Sequence, residues 1–429
     1  MRRPFLRAGG AVLAVALTLL GLAACGSSGS TTAASSSATS SSATSSGSQG
    51  VPIKIGTICS CSGPLAASLG SSITVLQSWV QWTNANGGIN GHPVQLFAYD
   101  DGQNPTTALA DAKRLVEQDK VVAIVGTMSL VSANWAKYVD SAGIPVVGGQ
   151  PVDTTFFTDP NFYASGTTLP MLLQGEVALA KASGAKTIGV AYCAETPVCA
   201  QLPPIITALA TPMGMKVSTQ EVSSTAANYI APCLALKKAG ATALFTAVNS
   251  DVVPRVVDSC AQQGYKPINI ASSATTQKSW TTDPNLNGSV FAATNAVYTD
   301  TSVPGVKDFM DALQKYAPSV PSSPEFSYPL LYPWAGGQLF AAAAKAANLT
   351  PASTSADLIR GLHSLTNETL DGIAPPLNFP QGSPGFPNCY FTGSITGGSF
   401  VANNSDKPVC IPEAQAQALL QGILKASGG

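Results

Sequence analysis

Two hydrophobic patterns alternate along the chain. Short apolar runs predict strands at residues 53–58, 94–99 and 121–125, and the last run is continuously apolar, as is typical of a parallel strand covered on both faces. Stretches with apolar residues three or four positions apart follow these runs and predict helices. Turn residues such as Gly87-Gly88 separate the two patterns. Strands that alternate with helices through short links indicate an α/β fold with a doubly wound parallel sheet.

The alternation continues to about residue 296 and yields too many strands for one such sheet, so we expect two doubly wound α/β lobes. After that point helices prevail, and then a Pro/Gly-rich, β-leaning tail runs to about Val401. Further strands are predicted at 145–147, 187–192, 215–221, 243–247, 268–271 and 290–294, and helices at 71–84, 132–142, 171–182, 201–210, 229–239, 252–263, 306–316, 332–347 and 354–365.

The start of one helix can be predicted residue by residue. Asn104 can cap this helix, and Pro105 suits its first turn. Leu109, Ala112 and Val116 then form the stripe that faces the sheet.

The first 50 residues have a different character. Three arginines precede the apolar stretch Ala8 to Ala24, which ends in small residues, as in an export signal. The sequence Leu22-Ala23-Ala24-Cys25 resembles the lipobox of bacterial lipoproteins, whose cysteine thiol receives a diacylglyceryl group before cleavage. We therefore predict a signal peptide at 1–24, a lipidated Cys25 and an uncharged Ser/Thr/Ala/Gly tether that extends to residue 50.

Two alternatives to lipidation remain. A retained membrane anchor is disfavoured, because the apolar stretch of 17 residues falls short of the roughly 20 that a spanning helix needs. The other alternative is an ordinary secretory cut beside an incidental cysteine.

Charge and composition exclude several classes of function. The net charge is −1 and only 10% of residues are charged, so no basic surface indicates nucleic acid binding. The chain has two histidines and lacks Gly-x-Ser-x-Gly, His-Glu-x-x-His and P-loop motifs. We therefore expect no catalytic residues, no cofactor and no metal site.

Eight cysteines remain once Cys25 is set aside, and an even number in an exported chain indicates disulfides. Sequence alone cannot choose among the 105 connectivities, although short separation favours pairing 193 with 199 and 389 with 410. Cys59-Ser60-Cys61 lacks further ligands at zinc spacing, so a structural or easily reduced disulfide is favoured there over a metal site. The disulfide candidates are Cys59, Cys61, Cys193, Cys199, Cys233, Cys260, Cys389 and Cys410.

Several short segments between residues 51 and 365 carry a resemblance to a known family. They are Ile53-Lys54-Ile55-Gly56, Ser62-Gly63-Pro64-Leu65-Ala66, Asn86-Gly87-Gly88-Ile89-Asn90-Gly91, Asp100-Asp101 with Pro105, the stretch Leu115 to Gly126, and Ala142-Gly143-Ile144-Pro145-Val146. In this order they resemble the type I periplasmic binding proteins, and most closely the leucine, isoleucine and valine receptors of ABC importers.

The resemblance implies two α/β lobes joined by three crossovers, with a ligand cleft between them. Lobe 1 would comprise 51–168 and 297–365, and lobe 2 would comprise 169–296 and 366–429 with the C-terminal tail. Such a protein would be a lipid-anchored monomer on the outer face of the cell membrane. It would capture a small molecule, an amino acid or a more apolar compound, by hinge closure and deliver it to an ABC permease. The alternative is a ligand-sensing receptor of the same fold that acts on a signalling partner.

The resemblance also implies where lobe 1 would hold a ligand. In the amino acid receptors, a hydroxyl and backbone amides in two loops meet the ligand's carboxylate. The first loop supplies Thr127, Ser129 and Leu130, and here Leu130 falls where a serine is usual. The second supplies Gln150 beside two glycines, and Val152 takes the hydroxyl position. Thr127 and Ser129 have the alternative role of satisfying loop backbone.

Three further positions complete the implied site. The family's ammonium partner opens a helix where this chain has Val252, with Asp251 one residue earlier; Asp251 could instead be only a helix N-cap. Leu69 and Tyr298 would be cleft walls. A buried ammonium or carboxylate without its partner costs several kcal/mol, so we hypothesise a small, partly apolar ligand that is not an α-amino acid.

The lipid anchor can be tested with a single substitution. Cys25→Ser removes the thiol that would carry the lipid, so we expect the protein to move from the membrane to the soluble fraction with its ligand binding intact. Fractionation followed by immunoblotting measures the first outcome, and Ser27→Ala is the matched control. A Cys25→Ser protein that stays in the membrane fraction would contradict the prediction.

Overall fold

The computed structural model describes residues 50–63, 66–195 and 199–426, and it contains thirteen strands and fourteen α-helices in those ranges. The strands are β1 Ile53–Cys59, β2 Val94–Asp100, β3 Ala123–Thr127, β4 Val146–Gly149, β5 Phe162–Tyr163, β6 Thr187–Cys193, β7 Lys216–Val222, β8 Ala243–Ala247, β9 Ile268–Ser272, β10 Val290–Ala293, β11 Cys389–Thr396, β12 Ser399–Ala402 and β13 Val409–Cys410. The helices are α1 Ala66–Leu69, α2 Ser72–Ala85, α3 Pro105–Arg114, α4 Ala136–Ser141, α5 Thr155–Thr158, α6 Leu169–Ala182, α7 Leu202–Ala210, α8 Ile230–Lys238, α9 Val252–Gln262, α10 Pro304–Tyr316, α11 Ser319–Ser322, α12 Leu331–Ala346, α13 Ser355–Ser364 and α14 Glu413–Ala426.

The strands form two separate sheets. The first has the order β2-β1-β3-β4-β5, and all its neighbours are parallel. The second has the parallel order β7-β6-β8-β9-β10, and the tail extends it with β11 antiparallel to β10 and with β12 and β13 antiparallel to β11. Helices pack on both sheets, so the expected fold of two doubly wound α/β lobes is confirmed.

The chain passes between the sheets three times. It leaves the first sheet through 164–168, returns through 294–303 to α10, α12 and α13, and crosses again through 365–388 to reach β11. We call the first sheet with its helices lobe 1 and the second sheet with its helices lobe 2. The boundaries proposed at 168, 296 and 365 stay predictions.

Helix α12 completes lobe 1, because it packs directly on β3 and β4. Glycines permit this approach. A Cβ atom on Gly148, whose φ is +65°, would lie 2.2 Å from the Cα of Gly336, and one on Gly337 would lie 2.4 Å from the Trp79 ring. The helix therefore touches the sheet through backbone as well as side chains, which fixes its position closely.

Local differences from the predicted elements have physical causes. The Asn104 side chain caps α3 as expected, accepting hydrogen bonds from the amides of Thr106 (2.9 Å) and Thr107 (3.1 Å). The buried stripe is Ala108, Ala112 and Leu115, however, because small alanines let α3 lie close to the sheet and leave Leu109 and Val116 only partly buried. The predicted helix 132–142 is a 3₁₀ turn followed by α4, and α14 was not predicted at all.

Four disulfides form among the described residues: Cys59–Cys61, Cys193–Cys199, Cys233–Cys260 and Cys389–Cys410. The metal alternative for Cys59 and Cys61 is therefore wrong, because both sulfurs are bonded to each other.

The predicted signal peptide, Cys25 and the tether up to residue 49 lie outside the described residues. Within the described ranges no helix is both long enough and apolar enough to cross a bilayer.

The close approach of α12 makes a quantitative prediction. Gly148→Ala forces a side chain into a left-handed conformation and against the backbone of α12, so we expect a loss of about 2–5 kcal/mol in unfolding free energy. Gly184 is the matched control, since its φ is +82° but a Cβ there meets nothing within 4 Å. Gly184→Ala should cost only about 1 kcal/mol in urea denaturation. Equal losses for the two variants would contradict close packing at Gly148.

Candidate ligand-binding cleft

The loops that follow β1 and β3 are tied together by one buried carboxylate. Asp101 is 2% exposed, and its two oxygens accept hydrogen bonds from the Ser60 hydroxyl (2.7 Å) and the Ser129 hydroxyl (2.6 Å). Ser60 in turn accepts a hydrogen bond from the Leu130 amide at 3.0 Å. The hydroxyl of Ser129 and the amide of Leu130 are thus already partnered inside lobe 1.

Other groups of the implied carboxylate site are also partnered. The Thr127 hydroxyl donates to the Ile58 carbonyl at 2.7 Å, which is the structural alternative considered for it. The Gln150 backbone amide donates to the Thr127 carbonyl at 2.9 Å, so it is not a free donor. The Gln150 side chain differs: it is 5% exposed, and its Oε1 atom has no hydrogen-bond partner.

Val152 lies in contact with lobe 2. Its side chain packs against an apolar cluster that includes Met171, Leu172 and Tyr390. A hydroxyl at this position would be poorly placed in such a cluster, and the valine instead adds apolar contact between the lobes.

Asp251, the carboxylate next to the family's ammonium-binding position, is exposed. Asp251 occupies the N-cap position of α9, but its side chain is exposed and makes no capping hydrogen bond. Asp251 therefore takes the N-cap position that the structural alternative gave it, without a capping hydrogen bond from its side chain. Its neighbour Ser250 is 1% exposed and faces lobe 1.

Leu69 and Tyr298 are both fully enclosed. Leu69 is 2% exposed and follows Ser68, whose hydroxyl lies 2.8 Å from the Ser250 hydroxyl of lobe 2. The Tyr298 hydroxyl donates to the Phe326 carbonyl at 3.1 Å, and its ring contacts those of Phe326 and Tyr328. Burial raises the pKa of Tyr298 far above its usual value, so the phenol is neutral at physiological pH.

The structure places the predicted residues in different surroundings. The structure joins Thr127, Ser129 and Leu130 in one lobe 1 network and leaves Asp251 in solvent. Sequence reasoning missed Ser68, Ser250 and Trp280, because isolated serines and tryptophans in turns and one-turn helices carry no periodic signal. Asp101 belongs to one of the segments that carry the family resemblance. Its place directly after a predicted strand was the available sign of a buried role.

A buried carboxyl group was also missed. Glu176 of α6 is 2% exposed, and neither of its oxygens has a hydrogen-bond partner. Burial raises the pKa of Glu176 well above its usual value, and the neighbouring Ser272 hydroxyl offsets only part of this effect. A neutral acid therefore stands behind the lobe junction, on an otherwise apolar helix face.

Two sheets joined by three crossovers, with loops from the carboxyl ends of their strands in contact, define a two-lobe solute-binding protein. Residues 52–398 match the model of the family described as "Periplasmic binding protein", and the chain belongs to that family. It is a type I member that resembles the branched-chain amino acid receptors.

Individual proteins of known name or structure share limited sequence identity or limited coverage with this chain. A "Leu/Ile/Val-binding protein homolog 7" from Brucella suis is 26% identical over 293 residues, which is 63% of this chain and 72% of that protein. An "Amino acid binding protein" from Pseudomonas aeruginosa is 48% identical over 62 residues, 14% of this chain and only 17% of that protein. The solved fatty acid ABC transporter substrate-binding protein from Thermomonospora curvata has 17% identity and a TM-score of 0.67, over 84% of this chain and 95% of that one.

Glu176 makes a pH-dependent prediction. A carboxyl with a raised pKa in the folded state contributes stability fully only below its unfolded pKa, near 4.5, and this contribution is lost as pH rises towards the folded pKa. Glu176→Gln should therefore be more stable than the natural protein at about pH 8, by about 1 kcal/mol or more, and similar at about pH 4.

Urea denaturation at both pH values measures this difference, and Glu221→Gln, at an exposed position of β7, is the control. A stability gap that does not change with pH would contradict the burial of Glu176 as an unpaired acid.

Proposed function

We propose that the protein is an extracytoplasmic solute receptor, anchored through Cys25, that closes its lobes around a small, partly apolar molecule and delivers it to an ABC permease. The family and the two-lobe fold support capture of a small molecule. Catalysis is not part of this proposal.

The proposed ligand class rests on one observation: the groups that would bind an amino acid already form hydrogen bonds within lobe 1. The backbone amides of Leu130 and Gln150 donate hydrogen bonds to Ser60 and Thr127. The Ser129 hydroxyl donates a hydrogen bond to Asp101. A ligand carboxylate would have to displace these partners, and a ligand ammonium would find no buried carboxylate at Asp251.

The proposed ligand is therefore uncharged where it is buried. Neutral hydroxyls and amides, such as the Gln150 side chain, would orient it by hydrogen bonds, and apolar walls would enclose the rest. The Thermomonospora protein, described as a fatty acid binder, supports the view that this fold accommodates ligands without an ammonium group.

A thermal-shift panel tests the ligand class. We expect leucine, isoleucine and valine to leave the melting temperature nearly unchanged, whereas a small aliphatic amide or alcohol raises it by several degrees through mass action. Strong stabilisation by the three amino acids alone would refute the proposal.

Two variants assign the polar contact. Gln150→Ala should weaken binding of the stabilising compound about tenfold, the effect of one buried hydrogen bond, and Asp251→Asn should leave it unchanged. Equal affinities for both variants would remove Gln150 from the site.

A further inference from the structure

A hydrogen bond between two serine hydroxyls joins the lobes, and a further neutral hydrogen bond holds each serine within its own lobe. The hydroxyls of Ser68 in lobe 1 and Ser250 in lobe 2 lie 2.8 Å apart. The Trp280 indole donates to the Ser250 carbonyl at 2.9 Å, and the Ser327 hydroxyl donates to the Ser68 carbonyl at 2.8 Å. We call Ser68, Ser250, Trp280 and Ser327 the latch; each is at most 7% exposed.

Ser68 lies in the short helix α1, whose last residue, Leu69, contacts a disulfide. Cys59 is the last residue of β1, and Cys61 is bonded to it two residues later. The Cys61 sulfur lies 3.3 Å from the Leu69 carbonyl oxygen and the Cys59 sulfur lies 3.9 Å from it. The disulfide thus packs against the residue that follows Ser68, and the Cys61 amide is held by Asp100 at 3.1 Å.

Ring size separates this disulfide from the other three. The cysteine separations are 2, 6, 21 and 27 residues, and the entropic stabilisation of a fold by a cross-link grows with the length of the loop it closes. Cys59–Cys61 closes the shortest loop and so adds least to global stability by this route. Its contribution is local: it fixes the direction in which the chain leaves β1.

We propose that the Cys59–Cys61 disulfide is a positioning element that sets Ser68 against Ser250, and that this hydroxyl pair latches the two lobes closed. This inference rests on the proposed function, because closure of the lobes is the step that retains the solute. It assigns part of the closing free energy to the protein itself, so that a ligand need supply only the remainder.

The chemistry of the latch has a further consequence. All its groups are uncharged, and the ion pairs that the described residues form, Lys307–Asp311 and Arg360–Asp357, each lie within one helix. Closure through the latch should therefore be insensitive to ionic strength, unlike closure through interlobe salt bridges.

The Trp280 indole provides a direct readout without any ligand. The chain contains five tryptophans, and Trp79 donates its indole hydrogen to Gln338 within lobe 1 at 3.1 Å, which makes it an internal control. Hydrogen exchange of ¹⁵N-labelled indoles is followed by NMR in the full protein. Ser68→Ala and Ser250→Ala should each accelerate exchange at Trp280 about three- to tenfold, because each removes the hydrogen bond between the two serine hydroxyls. Exchange at Trp79 should not change.

The disulfide is tested by comparison of two double variants. Cys59→Ser with Cys61→Ser should accelerate Trp280 exchange to the same degree as Ser68→Ala, whereas Cys389→Ser with Cys410→Ser, which removes a bond between β11 and β13, should not. Adding Ser68→Ala to the first double variant should give no further acceleration, because both changes break the same contact.

Unchanged Trp280 exchange in Ser68→Ala and Ser250→Ala would overturn the latch. If the Cys59 and Cys61 variant retains slow exchange while the serine variants do not, the positioning role of the disulfide is overturned. If that variant fails to fold, shown by fast exchange at Trp79 as well, the claim of a purely local role is overturned. None of these outcomes depends on the ligand panel, so the latch and the ligand class fail separately.

Discussion

The hydrogen bonds to Asp101 are the constraint on which the loops at the carboxyl end of the lobe 1 sheet depend. A carboxylate that is almost fully buried needs hydrogen-bond donors. The chain supplies serine hydroxyls from the loops after β1 and β3, and the Gln103 backbone amide at 2.7 Å. Two loops from different strands are thereby held in one geometry. The same bonds turn inwards the groups that would otherwise face a ligand, so the structural role of Asp101 also limits the chemistry of the site.

Neutral polar groups carry most of the polar contact between the lobes. The Tyr328 hydroxyl donates to carbonyls of the second crossover, and the Asn295 amide donates to Ser165 of the first at 2.8 Å. Hydroxyls and amides are short-range and directional, whereas ion pairs act over longer distances. Discrimination among solutes by such a surface depends on shape and on satisfied hydrogen bonds, and a mismatched polar group is penalised by desolvation.

The sequence was sufficient for the repeating part of the fold and insufficient for the site. Strands such as β3 and β8 are mostly apolar and bounded by turns, so their positions follow from pattern alone. Helix α14 was missed, because its buried residues Ala416, Leu420 and Ile423 follow a tail that lacks the preceding rhythm. The site depends on which loop residues meet across 182 positions of sequence, as Ser68 and Ser250 do, and no local pattern encodes such a meeting. Family position placed Ser129 in the loop after β3 but could not show that its hydroxyl is bonded to Asp101.

The packing of α12 on β3 and β4 has a consequence for the order in which the protein can fold. The sheet of lobe 1 is made from residues before 164, but the helix that covers it begins at Leu331. A chain that crosses a membrane from its N-terminus would emerge with this sheet uncovered on one face until most of the sequence had followed. Contacts so distant in sequence close slowly, and an exposed parallel sheet is prone to association. Lobe 1 would therefore spend the longest time in need of protection from aggregation, although it is the first lobe to be delivered.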